Sequence, residues 1–318
     1  MNFFSPAARR SRATDFSPAA RRLRASFSRR EFLASAGAAL VAAPALARGP
    51  AISSNDLAPN LRLIAVAGAN VIAFNSSEGT VLVDGGSAET SSALLREVKS
   101  PVKVLFNTHW HPEQTGSNER IGKTGATLIS HEYTKLWLSR PIKVKWLPKT
   151  FGPLPPKARP TKTTYTTDTL NHGGEQIEYG HLFQAHTDGD LYVYFKNANV
   201  LAAGGVVSAA GWPRLDWETG GWIGGLVAGY DKLLKVANDS TRIVPANGPA
   251  ITRADLQNHR KMYMTIYERV VASLNKGLGP DEAVATEPAK EFAAEWGDPK
   301  EFVDSAFRSL WGHFAPDA

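Results

Sequence analysis

The sequence predicts an α/β protein of four layers, α/β/β/α, with a helical extension at its carboxyl end. Two observations carry this expectation. Short β-branched and apolar runs fall into two sets along the chain, and each set is followed by segments of helical spacing. No linker-like stretch divides residues 55–318, so a single domain is expected there, with its helical extension beginning near 252.

The first set opens with "LRLIAVAGANVIAF" and "TVLVDGG", separated by "NSSEG", which reads as strand, turn, strand. Residues 87–98, "SAETSSALLREV", have helical spacing and a hydroxyl-rich start suited to capping. "VKVLFN" is a buried-type strand; a helix is expected from about Glu113, and "ATLISH" is the next strand. Residues 140–163 then break the pattern with six prolines and five lysines. The second set comprises "GEQIEYG", "LFQAH", "LYVYFKN" and "NVLAAGGVV". A Gly/Trp-rich stretch, a helix through "LVAGYDKLLKVA" and a last strand in "TRIVPANGPAIT" follow. Thr252 with Asp255 predicts a capped long helix to about Leu274, and two short helices are expected around 287–296 and 299–312.

Charge is unevenly placed. The formal net charge is +6, but residues 1–48 hold nine arginines against Asp15 and Glu31. The rest holds 27 basic and 28 acidic residues, so the folded body needs no nucleic-acid partner. "SRREFLASAGAALVAAPALA" carries a twin arginine at Arg29 and Arg30, a short Ala-rich run, and small residues at Ala45 and Ala47. This resembles a twin-arginine export signal, and it implies delivery to the periplasm. The run is too short for a stable membrane span. With no cysteine, any metal must be held by histidine, carboxylate or amide.

The chemistry centres on "NTHWHPEQTGSN" at 107–118. His109 and His111 are spaced i, i+2, which on extended chain puts both imidazoles on one side, as a zinc site requires. Alone, the pair is also compatible with two surface histidines after a strand. "VLVDGG" precedes it, and "AHTDGDLYVYF", "VLAAGGVV" and "VPANGP" follow in that order. Together these resemble the metallo-β-lactamase superfamily over nearly all of residues 60–255, which implies its αββα sandwich.

The resemblance implies His109, His111 and His186 as the ligands of the family's first metal site. It also implies that the second site is degenerate. Glu113 and Gln114 stand where the family has Asp and His, Asn247 replaces the last His, and Gly205 replaces the bridging carboxylate. Asp84 and Asp190 then prop the metal-binding loops. The expected cofactor is one Zn²⁺ per chain, with an open position for a water of lowered pKa. Glu113 is the candidate catalytic general base or a hydrogen-bond partner of a ligand histidine, or else a mere filler of the vacated site with Gln114. His131 is expected to be a non-ligand. Lys143, Lys145 and Trp146 of the Pro/Lys loop are candidate contacts for an acidic small-molecule substrate, unless that loop is simply solvated. Trp212, Trp217 and Trp222 are candidate pocket walls.

These residues together indicate an exported mononuclear zinc hydrolase of an ester, lactone, amide, lactam or thioester, attacked by metal-bound hydroxide. Two alternatives stay open: an inactive binding or regulatory protein retaining one structural metal, and a mononuclear iron oxygenase, whose carboxylate ligand Gly205 would remove. Substrate identity and oligomeric state are not legible.

Overall fold

The computed structural model describes residues 52–314, and the expected export signal lies outside them. The chain runs β1 (Ser53–Ala58), β2 (Leu61–Val66), β3 (Ala69–Ser76), β4 (Gly79–Val83), α1 (Ser91–Val98) and β5 (Val102–Phe106). Short helices α2 (Pro112–Thr115) and α3 (Asn118–Gly122) lead to β6 (Thr127–His131), α4 (Glu132–Leu138) and β7 (Lys162–Thr164). Then come β8 (Thr167–His172), β9 (Glu175–Leu182), β10 (Asp190–Phe195), β11 (Val200–Gly204), α5 (Ile223–Val236) and β12 (Arg242–Pro245). Helices α6 (Arg253–Asn275), α7 (Pro280–Ala285), α8 (Ala293–Trp296) and α9 (Lys300–Phe314) finish it.

β1 to β7 form one seven-stranded sheet in chain order, and β12-β11-β10-β9-β8 form a second of five. Strand periodicity makes the four layers. In β3, Ile72 and Phe74 point into the core between the sheets, while Val71 and Ala73 face Leu94 and Val98 of α1 and Ile121 of α3. In β10, Leu191, Val193 and Phe195 meet that same inter-sheet core, and Tyr192 and Tyr194 face the layer of α5, α6 and the C-terminal helices. The central strands of each sheet are therefore buried on both faces, which is why β10 reads as an apolar run after Asp190.

Several expectations shift. "LRLIAVAGANVIAF" is itself a hairpin, turning at Ala67-Gly68, because Gly68 takes a positive φ of 81° there. β1 went unrecognised, since its polar residues leave it mostly exposed at the sheet edge. "LFQAH" is not a strand beyond Leu182, but the loop that carries His186. The Pro/Lys loop packs its own small core, in which Trp110, Leu138, Ile142 and Val144 are buried. α7 was also missed. The Thr252–Asp255 capping box is present and starts α6.

Candidate metal centre

The site lies where β4, β5, β9, β11 and β12 end. His109 and His111 follow β5, and His186 lies in the loop after β9. All three are buried. Their ring centroids lie 4.6 Å apart for His109 to each partner and 4.7 Å for His111 to His186. Each offers one nitrogen within 4.8 Å of the others. Trp110, between the first two, turns the opposite way into the loop core, where its Nε1 donates to Thr219 Oγ1 at 3.1 Å.

What each ring does with its other nitrogen decides which atom faces inward. Thr108 Oγ1 donates its hydrogen to Asp84 Oδ2 at 2.8 Å, so at 2.9 Å from His109 Nδ1 it accepts one. That fixes His109 as the Nδ1–H tautomer with a bare Nε2. His111 Nε2 stands 2.9 Å from Asp216 Oδ2, leaving Nδ1. His186 Nδ1 stands 3.3 Å from Asp190 Oδ1, leaving Nε2. A ligand histidine held in orientation through its other nitrogen by a carboxylate, carbonyl or hydroxyl is the arrangement that suits a zinc ion, so the donor set fits one.

The props are themselves fixed. Asp84 accepts the Thr108 backbone N–H as well, and Asp190 accepts the N–H groups of His186 and Thr187 at 2.6 and 2.7 Å. Thr219 Oγ1 donates to Asp216 Oδ2 at 2.7 Å. Sequence reasoning missed Asp216, since "LDWETGG" carries no strand or motif signal; only the buried carboxylate beside an imidazole shows its role.

Electrostatics follow from burial and these pairs. Burial holds His109 well below the usual histidine range, and the charges of His111 and His186 push the same way. For His111, burial opposes the charged ring, but the hydrogen bond to Asp216 and the nearby Glu113 carboxylate outweigh it and raise it to about 9. Burial raises the Asp84 carboxyl to about 7 against its two Thr108 hydrogen bonds.

Glu113 is the carboxylate nearest the inward nitrogens, its Oε1 standing 3.6 Å from His111 Nδ1. Burial raises its pKa and the neighbouring His111 ring lowers it, and the net shift is downward. Gln114 is buried, and its Oε1 has no hydrogen-bond partner, so no bond joins it to Glu113 through that atom. Asn247 is otherwise engaged, its Oδ1 accepting from Ser208 Oγ at 2.7 Å. Gly205 lies directly beneath His186: a Cβ there would stand 2.4 Å from His186 Nδ1.

His109, His111, Glu113, Gln114, His186, Gly205 and Asn247 share one cavity of about 290 Å³, a volume suited to a small molecule. Its outer wall is built by Trp212 to Leu215 and by Glu301, Phe302 and Ser305 of α9. The basic side chain lining it is Arg214, paired with Glu301 at 3.0 Å and lying 4.6 Å over the Trp146 ring. Lys143 is exposed and does not line this cavity, and Lys145 lines a neighbouring cleft with Trp146 and Trp217. Trp222 is elsewhere, stacked on His313 at 3.6 Å. His131 caps α4 by accepting the Tyr133 N–H, and it stacks on His181 at 3.7 Å.

A two-sheet αββα sandwich with three histidines converging at its strand ends defines a metallo-hydrolase type of protein. A family model of the metallo-beta-lactamase superfamily matches residues 65–283, and this chain belongs to that superfamily. Among solved structures, a metallo-beta-lactamase from Pontibacter korlensis is 21% identical, with a TM-score of 0.56 over 67% of this chain and 99% of that one. The DIM-1 metallo-beta-lactamase is 15% identical, with a TM-score of 0.54 over 68% and 98%. A double variant of the sec-alkyl sulfatase PisA1 is 15% identical, with a TM-score of 0.58 over 84% of this chain and 51% of that one. At these identities the likeness is one of fold. No curated protein matches the sequence. Among the described residues, no helix is long and apolar enough to cross a membrane.

Proposed function

We propose that this chain is an exported, mononuclear zinc-dependent hydrolase of a small molecule bearing an ester, lactone, amide, lactam or thioester. The observation that carries this reading is the orientation of the three imidazoles, each tied outward so that Nε2 of His109, Nδ1 of His111 and Nε2 of His186 are left for one ion. Such an ion, when bound, lowers the pKa of water and polarises a carbonyl. Glu113 is half-exposed at the cavity and ionised, so it accepts the proton that the attacking water gives up. One site rather than two is favoured because the Asn247 amide is engaged by Ser208 and His186 fills the space over Gly205. Arg29 and Arg30 support export by the twin-arginine route.

The test pairs elemental analysis with a panel of an ester, a lactone, a lactam and a thioester. We expect about one zinc per chain and turnover of at least one substrate. Glu113→Gln is expected to keep zinc and to lose roughly 10²–10⁴-fold in rate. Two tightly held equivalents would overturn the single site. A fully loaded protein without turnover would favour an inactive binding protein with one structural metal.

A further inference from the structure

We infer that the side-chain carbonyl of Gln114 is a fourth protein donor to the cation held by the three histidines. This rests on the metal reading above and gives a part to Gln114, which stands where the family has a histidine of its second site.

The argument begins with an orphan. Gln114 is buried, lines the histidine cavity, and leaves its Oε1 without a partner among the protein groups. Withdrawing an amide oxygen from water without a hydrogen bond is costly, so a well-packed site rarely leaves one. The same side chain lines the cavity together with the His109 imidazole. His109 has spent Nδ1 on Thr108, so the nitrogen that remains toward Gln114 is Nε2, which carries a lone pair and no hydrogen. The Gln114 oxygen and the His109 lone pair thus share one buried cavity, and no protein donor bonds that oxygen. A cation held by His109 together with His111 and His186 would take up both lone pairs.

The chemistry of the donor explains why an amide is useful here. A carbonyl oxygen is neutral, so it adds a ligand without offsetting the ion's charge, whereas a carboxylate would weaken its pull on water and substrate. It is also a weaker ligand than imidazole for zinc, so it leaves room for a five-coordinate ion when substrate arrives. The helical start at Pro112 turns residue 114 back under the histidines, since Gln114 N donates to His111 O at 3.0 Å.

The experiment uses the full chain, stripped of metal and titrated with zinc against a chelator, and separately loaded with cobalt(II) for its visible spectrum. Gln114→Met keeps the length of the side chain and removes the carbonyl. It is expected to weaken zinc by roughly 10–100-fold and to change the position and intensity of the cobalt bands. Gln114→Glu, which supplies a charged oxygen at the same place, is expected to bind zinc more tightly than the native protein. Melting of the metal-free variants checks that they are folded; if the Met variant is not, the Glu variant alone decides. Identical zinc affinity and cobalt spectra in native and variant proteins would overturn the inference, with the amide then donating to His109 instead. Failure of the native protein to bind zinc at all would overturn the metal reading itself, a distinguishable result.

Discussion

Asp216 Oδ2 stands 2.9 Å from Nε2 of His111, joining residues 105 apart in sequence through one hydrogen bond at the heart of the site. The contact fixes which face of the His111 ring looks inward, and Thr219 holds the carboxylate in place from behind. Asp216→Asn keeps the volume but offers an amide that can sit with either end toward the ring. We expect it to fold and to lose roughly 10–100-fold in zinc affinity, measured by chelator competition. Unchanged affinity would mean that Asp216 only fills space.

Gly205 is the position at which a designer would restore a second metal ligand, and the structure predicts that this fails. A Cβ there would come within 2.4 Å of His186 Nδ1 and 2.5 Å of its Cε1. Since Asp190 holds that ring through Nδ1, the ring must move or the backbone must. Gly205→Asp is therefore expected to bind less than one zinc rather than two. It should also cost about 1–3 kcal/mol of stability from overpacking. Elemental analysis and a denaturant titration read both; recovery of two metals in Gly205→Asp would show that His186 is free to yield.

Much of this was legible in the sequence, and the reasons are local. The histidines of "HWH" and "HTDGD" could be picked out because their spacing and flanking strands lie within a few residues of each other, and α6 because its Thr252–Asp255 box spans one turn. Asp216 and Arg214 were not, because their partners His111, Trp146 and Glu301 are remote in sequence and the segment between them is irregular. The lysines of the Pro/Lys loop drew attention by number, yet the cavity is reached instead by Arg214 and by α9, whose part no periodicity reveals. The hairpin at Gly68 was hidden because two largely buried strands joined by two small residues look like one apolar run.

Export is expected to depend on the twin arginine. A precursor carrying Arg29→Lys and Arg30→Lys keeps its charge and its apolar run, so only the address is altered. It should remain in the cytoplasm, as read by cell fractionation and immunoblotting. Undiminished delivery to the periplasm would rule out this route.

The stacked pair His131 and His181 gives a pH dependence that owes nothing to a metal. Burial and the neighbouring charge of His181 lower His131 from the ordinary 6.5 to about 4, and burial lowers His181 as well. The folded protein thus keeps His131 neutral at a pH where the unfolded chain would protonate it. Between about 6.5 and 4 the unfolded state binds more protons, so stability falls as the pH falls through that window. Below it both states are protonated, and His131 contributes no further loss. Above it both are neutral, and its contribution is fully present. His131→Asn removes the titration while preserving the cap, because asparagine also accepts the Tyr133 N–H at the start of α4. Denaturant midpoints taken from pH 7.5 to 4 should decline less steeply for His131→Asn than for the native protein, with the two curves diverging below about pH 6.5. Parallel curves over the whole range would show that His131 is protonated in the fold at no cost, and that the stack tolerates the charge.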